Sequence, residues 1–117
     1  SSISNKFFVD IHNDADFNQL WNSHTGFSGF PSKPIVDFTS NAVIAVFKGQ
    51  SSNSGHKIKI SQVELANGVI EVTVELIAPG NSCITAQFIN YPYQFVIVPP
   101  FTESIIFIEK LITIECI

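Results

Sequence analysis

Ala42-Val43-Ile44-Ala45-Val46-Phe47 is the stretch that any fold of this chain must accommodate. Six apolar residues in a row, rich in β-branched and aromatic types, are too few for an isolated helix. They read as a strand buried on both faces. Polar punctuation follows from Gly49 to Gly55. Ile58 and Ile60 then alternate with Lys57 and Lys59, the period of a strand with one face in the core and one in water. Taken together, the two runs predict a hairpin joined by a long, mobile, polar connection.

The flanking sequence extends this pattern. Lys6 to Ile11 reads as a short first strand. Asn13 can cap a helix beginning near Asp14, and Asp14 and Asp16 favour its positive end. Phe17, Leu20, Trp21 and His24 fall at i, i+3, i+4 and i+7, so one helical face meets the sheet, with Trp21 as its anchor, and Gly26 ends the helix. Thr25 to Pro34 reads as a loop whose Phe27 and Phe30 fold back onto the core. Downstream, Val63 and Leu65 break the parity set by Ile58 and Ile60, which predicts a bulge near Ser61-Gln62. Asn67-Gly68 is a type I′ turn signal. Ile70, Val72, Val74 and Leu76 then point inward, and Pro79 to Ser82 turns the chain.

Ile84, Ala86 and Phe88 alternate with Thr85 and Gln87 and predict a further strand. Tyr91-Pro92 ends it, at an aromatic–proline bond where a cis form is worth checking although trans is the base expectation. Tyr93, Phe95 and Ile97 continue as a strand up to Pro99-Pro100. Ser104 to Ile117 fits one bent strand or a hairpin. The fold class expected is mainly β (α+β): an antiparallel β-sandwich-like domain of about seven strands with one short N-terminal helix, residues 1–117 forming a single domain.

Composition narrows the function. The chain is 45% hydrophobic and 14% charged, which excludes disorder. Its net charge is −4 and its cations are all Lys, with no Arg for bidentate phosphate contacts, so nucleic-acid binding is not expected. No run approaches the roughly 18 apolar residues of a membrane span. Met is absent; a processed exported protein or a trimmed chain would each explain that. Cys83 and Cys116 share no metal-like spacing. They are two buried thiols in a cytosolic protein, or in an exported one a disulfide closing a loop worth roughly 3 kcal/mol.

No catalytic, metal or cofactor motif emerges. Gly49 to Lys57 resembles a phosphate loop only superficially: the second Gly is one residue late, Lys does not follow it directly, and no helix begins there. Asp14 and Asp16 lack the Gly and Glu that a calcium loop requires, and helix capping accounts for both. His12, His24 and His56 have no framed serine or placed cysteine to activate. Tyr91 and Tyr93 lack the flanking cations of a stacking platform.

The order of Val36-Asp37-Phe38, the buried strand ending in Gly49, a polar loop ending in Gly55-His56 and an alternating strand resembles the C-terminal domain of PrcB-like protease-complex subunits. Leu20-Trp21 with His24, Ala78-Pro79-Gly80 and Tyr91-Pro92-Tyr93 extend the resemblance over roughly residues 17 to 108. Where that family usually has Pro-Thr-Gly-Gly-Tyr, this chain has Ser52-Asn53-Ser54-Gly55-His56. The resemblance implies a non-catalytic, exported protein-binding accessory domain whose partner class is a protease, with no cofactor. The expected partner-binding residues are Gln50, Ser51, Ser52, Asn53, Ser54, Gly55 and His56. The alternative is a protease inhibitor that presents the 49–56 loop. Export would favour a Cys83–Cys116 disulfide.

Overall fold

The buried hexapeptide forms the middle strand of a sheet. A computed structural model describes residues 1–28 and 30–116. Its elements are β1 Phe7–Ile11, α1 Asp14–Thr25, β2 Ala42–Phe47, β3 Lys57–Ala66, β4 Val69–Pro79, β5 Tyr93–Val98 and β6 Ser104–Ile114. Two three-stranded sheets result, ordered β1-β2-β5 and β3-β4-β6. All six residues of β2 are buried because each face of its sheet is covered. On one side Ile44 and Val46 meet Ile58, Val72 and Val74 of the second sheet. On the other, Val43 packs with Phe17 and Trp21 of α1. The architecture is helix, sheet, sheet.

Local chemistry explains the boundaries of the helix. The Asn13 side chain accepts from the Asp16 amide at 2.8 Å. Gly26 closes the helix in the left-handed region, its amide directed at the last-turn carbonyls. Trp21 is 8% exposed, and its indole Nε1 donates to the Pro31 carbonyl at 2.9 Å. Ahead of β2, Val36 is buried and Phe38 stacks edge-on against Phe17 at 5.8 Å. Asp37 between them accepts from the Thr39 hydroxyl and amide, which holds its carboxyl below the usual range. The Val-Asp-Phe motif is therefore a turn with an apolar anchor on each side.

The bulge and the tight turn occur where the parity change and the Asn-Gly pair predict them. Ladder register shifts between Ile60 and Gln62, and the Ile60 amide donates across the sandwich to Gln94 Oε1 of β5 at 2.7 Å. Asn67 and Gly68 both have positive φ and join β3 to β4 through two residues.

Several expectations are corrected. β2 and β3 are not a hairpin, because they lie in different sheets. Neighbouring strands are about 4.8 Å apart but stacked sheets about 10 Å, so the connection from Lys48 to His56 has to cross layers and cannot be a tight turn. Residues 84 to 88 form no strand, which leaves six strands among the described residues in place of about seven. The sandwich is not wholly antiparallel. After β5 the chain leaves the first sheet at Pro99-Pro100, and β6 runs parallel to β4; alternation of side chains is the same in either direction and carries no signal of it. The tail is one strand, with Ile117 outside the described residues. Phe27 and Phe30 are exposed, not folded onto the core. The cis bond precedes Pro31, and none precedes Pro92.

Candidate functional site

Glycine geometry fixes both ends of the crossing loop. Gly49 has φ +91°, and a Cβ there would stand 3.0 Å from the Lys6 amide nitrogen. Gly55 has φ +93°, and a Cβ would meet Pro79 at 3.0 Å. Only glycine suits both positions. Between them the loop is stapled to the segment before β5. Ser51 and Asn90 exchange backbone hydrogen bonds at 2.8 and 2.9 Å. The Ser54 amide donates to the Ala86 carbonyl, and the Ala86 amide donates to the Ser54 hydroxyl, each at 2.9 Å. The Asn90 side-chain amide donates to the Asn53 carbonyl at 2.7 Å.

These bonds decide what each expected binding residue can offer. Ser51 is buried, the Ser54 hydroxyl is engaged, and Asn53 Oδ1 is buried without a hydrogen-bond partner among the described residues. Gln50, Ser52 and Gly55 remain at the surface. His56 closes the loop: its Nδ1 lies 3.1 Å from Lys48 Nζ, so the neutral ring accepts and the ammonium donates. Burial lowers the proton affinity of His56, and Lys48 lowers it further. Burial also lowers the pKa of Lys48. His56, Asn90 and Tyr93 border an open cavity of about 410 Å³.

The stapled segment supplies what loop composition did not suggest. Ala86 and Asn90 bond to the loop and residues 84–88 join neither sheet, so the alternating apolar side chains of the segment have no sheet to enter. Ile84 is fully exposed, Phe88 is 51% exposed and Ile89 is 61% exposed. The base of this segment is fastened to the end of β6. Cys83 and Cys116 form a disulfide across Cα atoms 4.9 Å apart. The Glu115 carboxylate accepts from the Ser82 amide and hydroxyl, which pulls its pKa down. Polar loop and apolar segment thus form one continuous, braced face.

The thiols are paired, the nearest imidazole is held by an ammonium, and no group of three or more potential metal ligands gathers among the described residues. His24 is distant in role as well: it is 3% exposed, ringed by Trp21, Phe47, Tyr93 and Phe95. His12 is spent on Asp10, 2.7 Å away, and on the Phe101 ring.

Residues 42–99 match the family model described as PrcB C-terminal. Over these residues the chain belongs to the PrcB C-terminal family. The matched segment is about half of the chain and runs from the first residue of β2 to just past β5, so it contains the crossing loop and its strap entire. β1, α1 and β6 lie outside it. No curated protein and no solved structure matches the chain.

Proposed function

We propose that this PrcB C-terminal protein is a non-catalytic accessory domain of an exported protease complex, binding its partner through the face made by the 49–56 loop and residues 84–90. The observation that carries the reading is the exposure of Ile84, Phe88 and Ile89 beside a loop braced at both ends. Apolar side chains held rigid around a polar centre lose little freedom on association, which favours a protein partner. The family match supports a protease-associated role. The disulfide suits an oxidising, extracytoplasmic compartment.

The inhibitor reading asks the same loop to project into an active-site cleft. With Ser51 buried and Ser54 engaged, the loop lies along its strap instead, which favours the accessory role. Affinity-tagged protein returned to its native host tests the choice. A protease should co-purify, and Ile84→Glu with Phe88→Glu should abolish its recovery. The bound protease should keep its turnover rate and gain thermal half-life. Loss of turnover would identify an inhibitor, and undiminished recovery by the double variant would move the interface elsewhere.

A further inference from the structure

At the end of the sandwich where β1 begins and β2 stops, two cations stand side by side. Phe7 is opposite Phe47 in the ladder, and beyond it the Gln50 amide still donates to the Ser4 carbonyl at 3.1 Å. The same register therefore sets Lys6 opposite Lys48. Phe8, Ile44 and Val46 pack against the second sheet, and strand alternation turns both lysines the same way. Like charges directly opposite on neighbouring strands repel. Lys6 is neutralised by Glu109 of β6 at 2.8 Å. Lys48 has no carboxylate partner among the described residues. Of the three donors on its ammonium, one is directed at His56 Nδ1. Both lysines line an open cavity of about 310 Å³, floored by Leu76 and Ala78 of β4 beside Leu111 and Thr113 of β6. Leu111 is 83% exposed there.

We propose that this cavity binds the C-terminal residue of a partner polypeptide, its α-carboxylate on Lys48 and its aliphatic side chain against Leu76 and Leu111. The carboxylate follows from the charge: Lys6 and Glu109 cancel, which leaves Lys48 as a half-buried cation with two unused donors. An anion there takes up those donors and offsets the repulsion from Lys6. The apolar part follows from the floor, which runs two residues along each strand, about 7 Å. That is room for one aliphatic side chain and not for a long alkyl tail. A polypeptide end suits the site better than a free amino acid, whose own ammonium would stand against the two lysines. In a polypeptide the residue continues through a neutral amide instead. Ile84, Phe88 and Ile89 take no part, so the site stands whether or not the loop face binds a protease.

A random peptide library displayed with free C-termini and panned against the whole chain tests this. Enriched sequences should converge on Leu, Ile or Val at the last position. A fluorescein-labelled peptide of that consensus should lose about tenfold in affinity when its C-terminus is amidated, as loss of a charge-assisted hydrogen bond does. Lys48→Met should cause a similar loss, and Lys48→Arg should recover most of it. Lys48 also holds His56, so Leu111→Glu serves as a second variant. That position is exposed, and a carboxylate placed there should repel the peptide and weaken it about two- to fivefold. Ile84→Glu with Phe88→Glu should leave the peptide affinity unchanged, which separates this site from the loop face. Acetyl-leucine should displace the labelled peptide at lower concentration than octanoate. No convergence at the last position, equal binding of acid and amide, full affinity in Leu111→Glu, loss in the loop-face variant, or better displacement by octanoate would each overturn the proposal.

Discussion

His24 lies between Trp21, Tyr93 and Phe95, with ring centroids 4.9, 4.2 and 5.2 Å away, and burial there pushes its pKa down to about 4. A base whose proton affinity falls on folding is bound more tightly by protons in the unfolded chain. Stability should therefore be fully present above pH 6.5 and fall as pH drops from 6.5 towards 4, by on the order of 2–3 kcal/mol, and flatten below that for this residue. Urea unfolding at pH 7 and pH 4.5, with His24→Phe as the comparison, checks this: the variant should lose much less between the two pH values. Trp21 is the second residue that decides the helix layer. Trp21→Ala removes the ring between Phe17 and Phe95 together with the bond to Pro31, and should cost about 3–5 kcal/mol in the same assay.

At the scale of elements, the crossing loop shows where sequence reading worked and where it stopped. Capping chemistry at Asn13 and Gly26, the parity change before Gln62, and the Asn67-Gly68 turn are local, and each appears as expected. Two-faced burial of β2 was equally legible, since a run of apolar residues needs cover on both sides. Which strand lies beside which was not. A buried strand followed by an amphipathic one is consistent with a hairpin or with a sheet-to-sheet crossing, and only long-range packing separates them. The apolar alternation at Ile84, Ala86 and Phe88 misled for a related reason: Ala86 bonds to the loop through both its amide and its carbonyl, outside either sheet, and Ile84 and Phe88 face solvent.

Two predictions belong to this scale. Replacing Gln50 to Ser54 with Asn-Gly should not be neutral, because it shortens a layer crossing and removes the bonds to Ala86 and Asn90. A loss of about 2–5 kcal/mol is expected from denaturant midpoints, at roughly 1 kcal/mol per bond. Joining Cys83 to Cys116 spans 33 positions, and Cys83→Ser with Cys116→Ser should lower stability by about 2–5 kcal/mol. The far-UV spectrum should change little, since the bond fastens a segment without regular structure to the end of β6.

The whole molecule is flat, 46 × 39 × 18 Å, and its radius of gyration is 15.5 Å against about 13 Å for a compact chain of this length. The cause is a mismatch of sheets. β3, β4 and β6 have 10 to 11 residues each, whereas β1, β2 and β5 have 5 or 6, so the second sheet overhangs the first. Val63 and Leu65 are exposed on that overhang, far along β3 from the loop. A chain so apolar and so thin leaves several surfaces for partners, and the loop face sets exposed Ile84, Phe88 and Ile89 beside a braced loop within the family-matched segment. Site-specific photo-crosslinking distinguishes it most directly. A photoreactive phenylalanine analogue placed at Phe88, and in a second protein at Glu64 on the overhang, is irradiated in the native host, and the adducts are identified by mass spectrometry. Position 88 should give one dominant adduct, to a protease chain, and position 64 should give none. Equal labelling from both positions, or no adduct at 88, would contradict the assignment of the loop face as the binding surface.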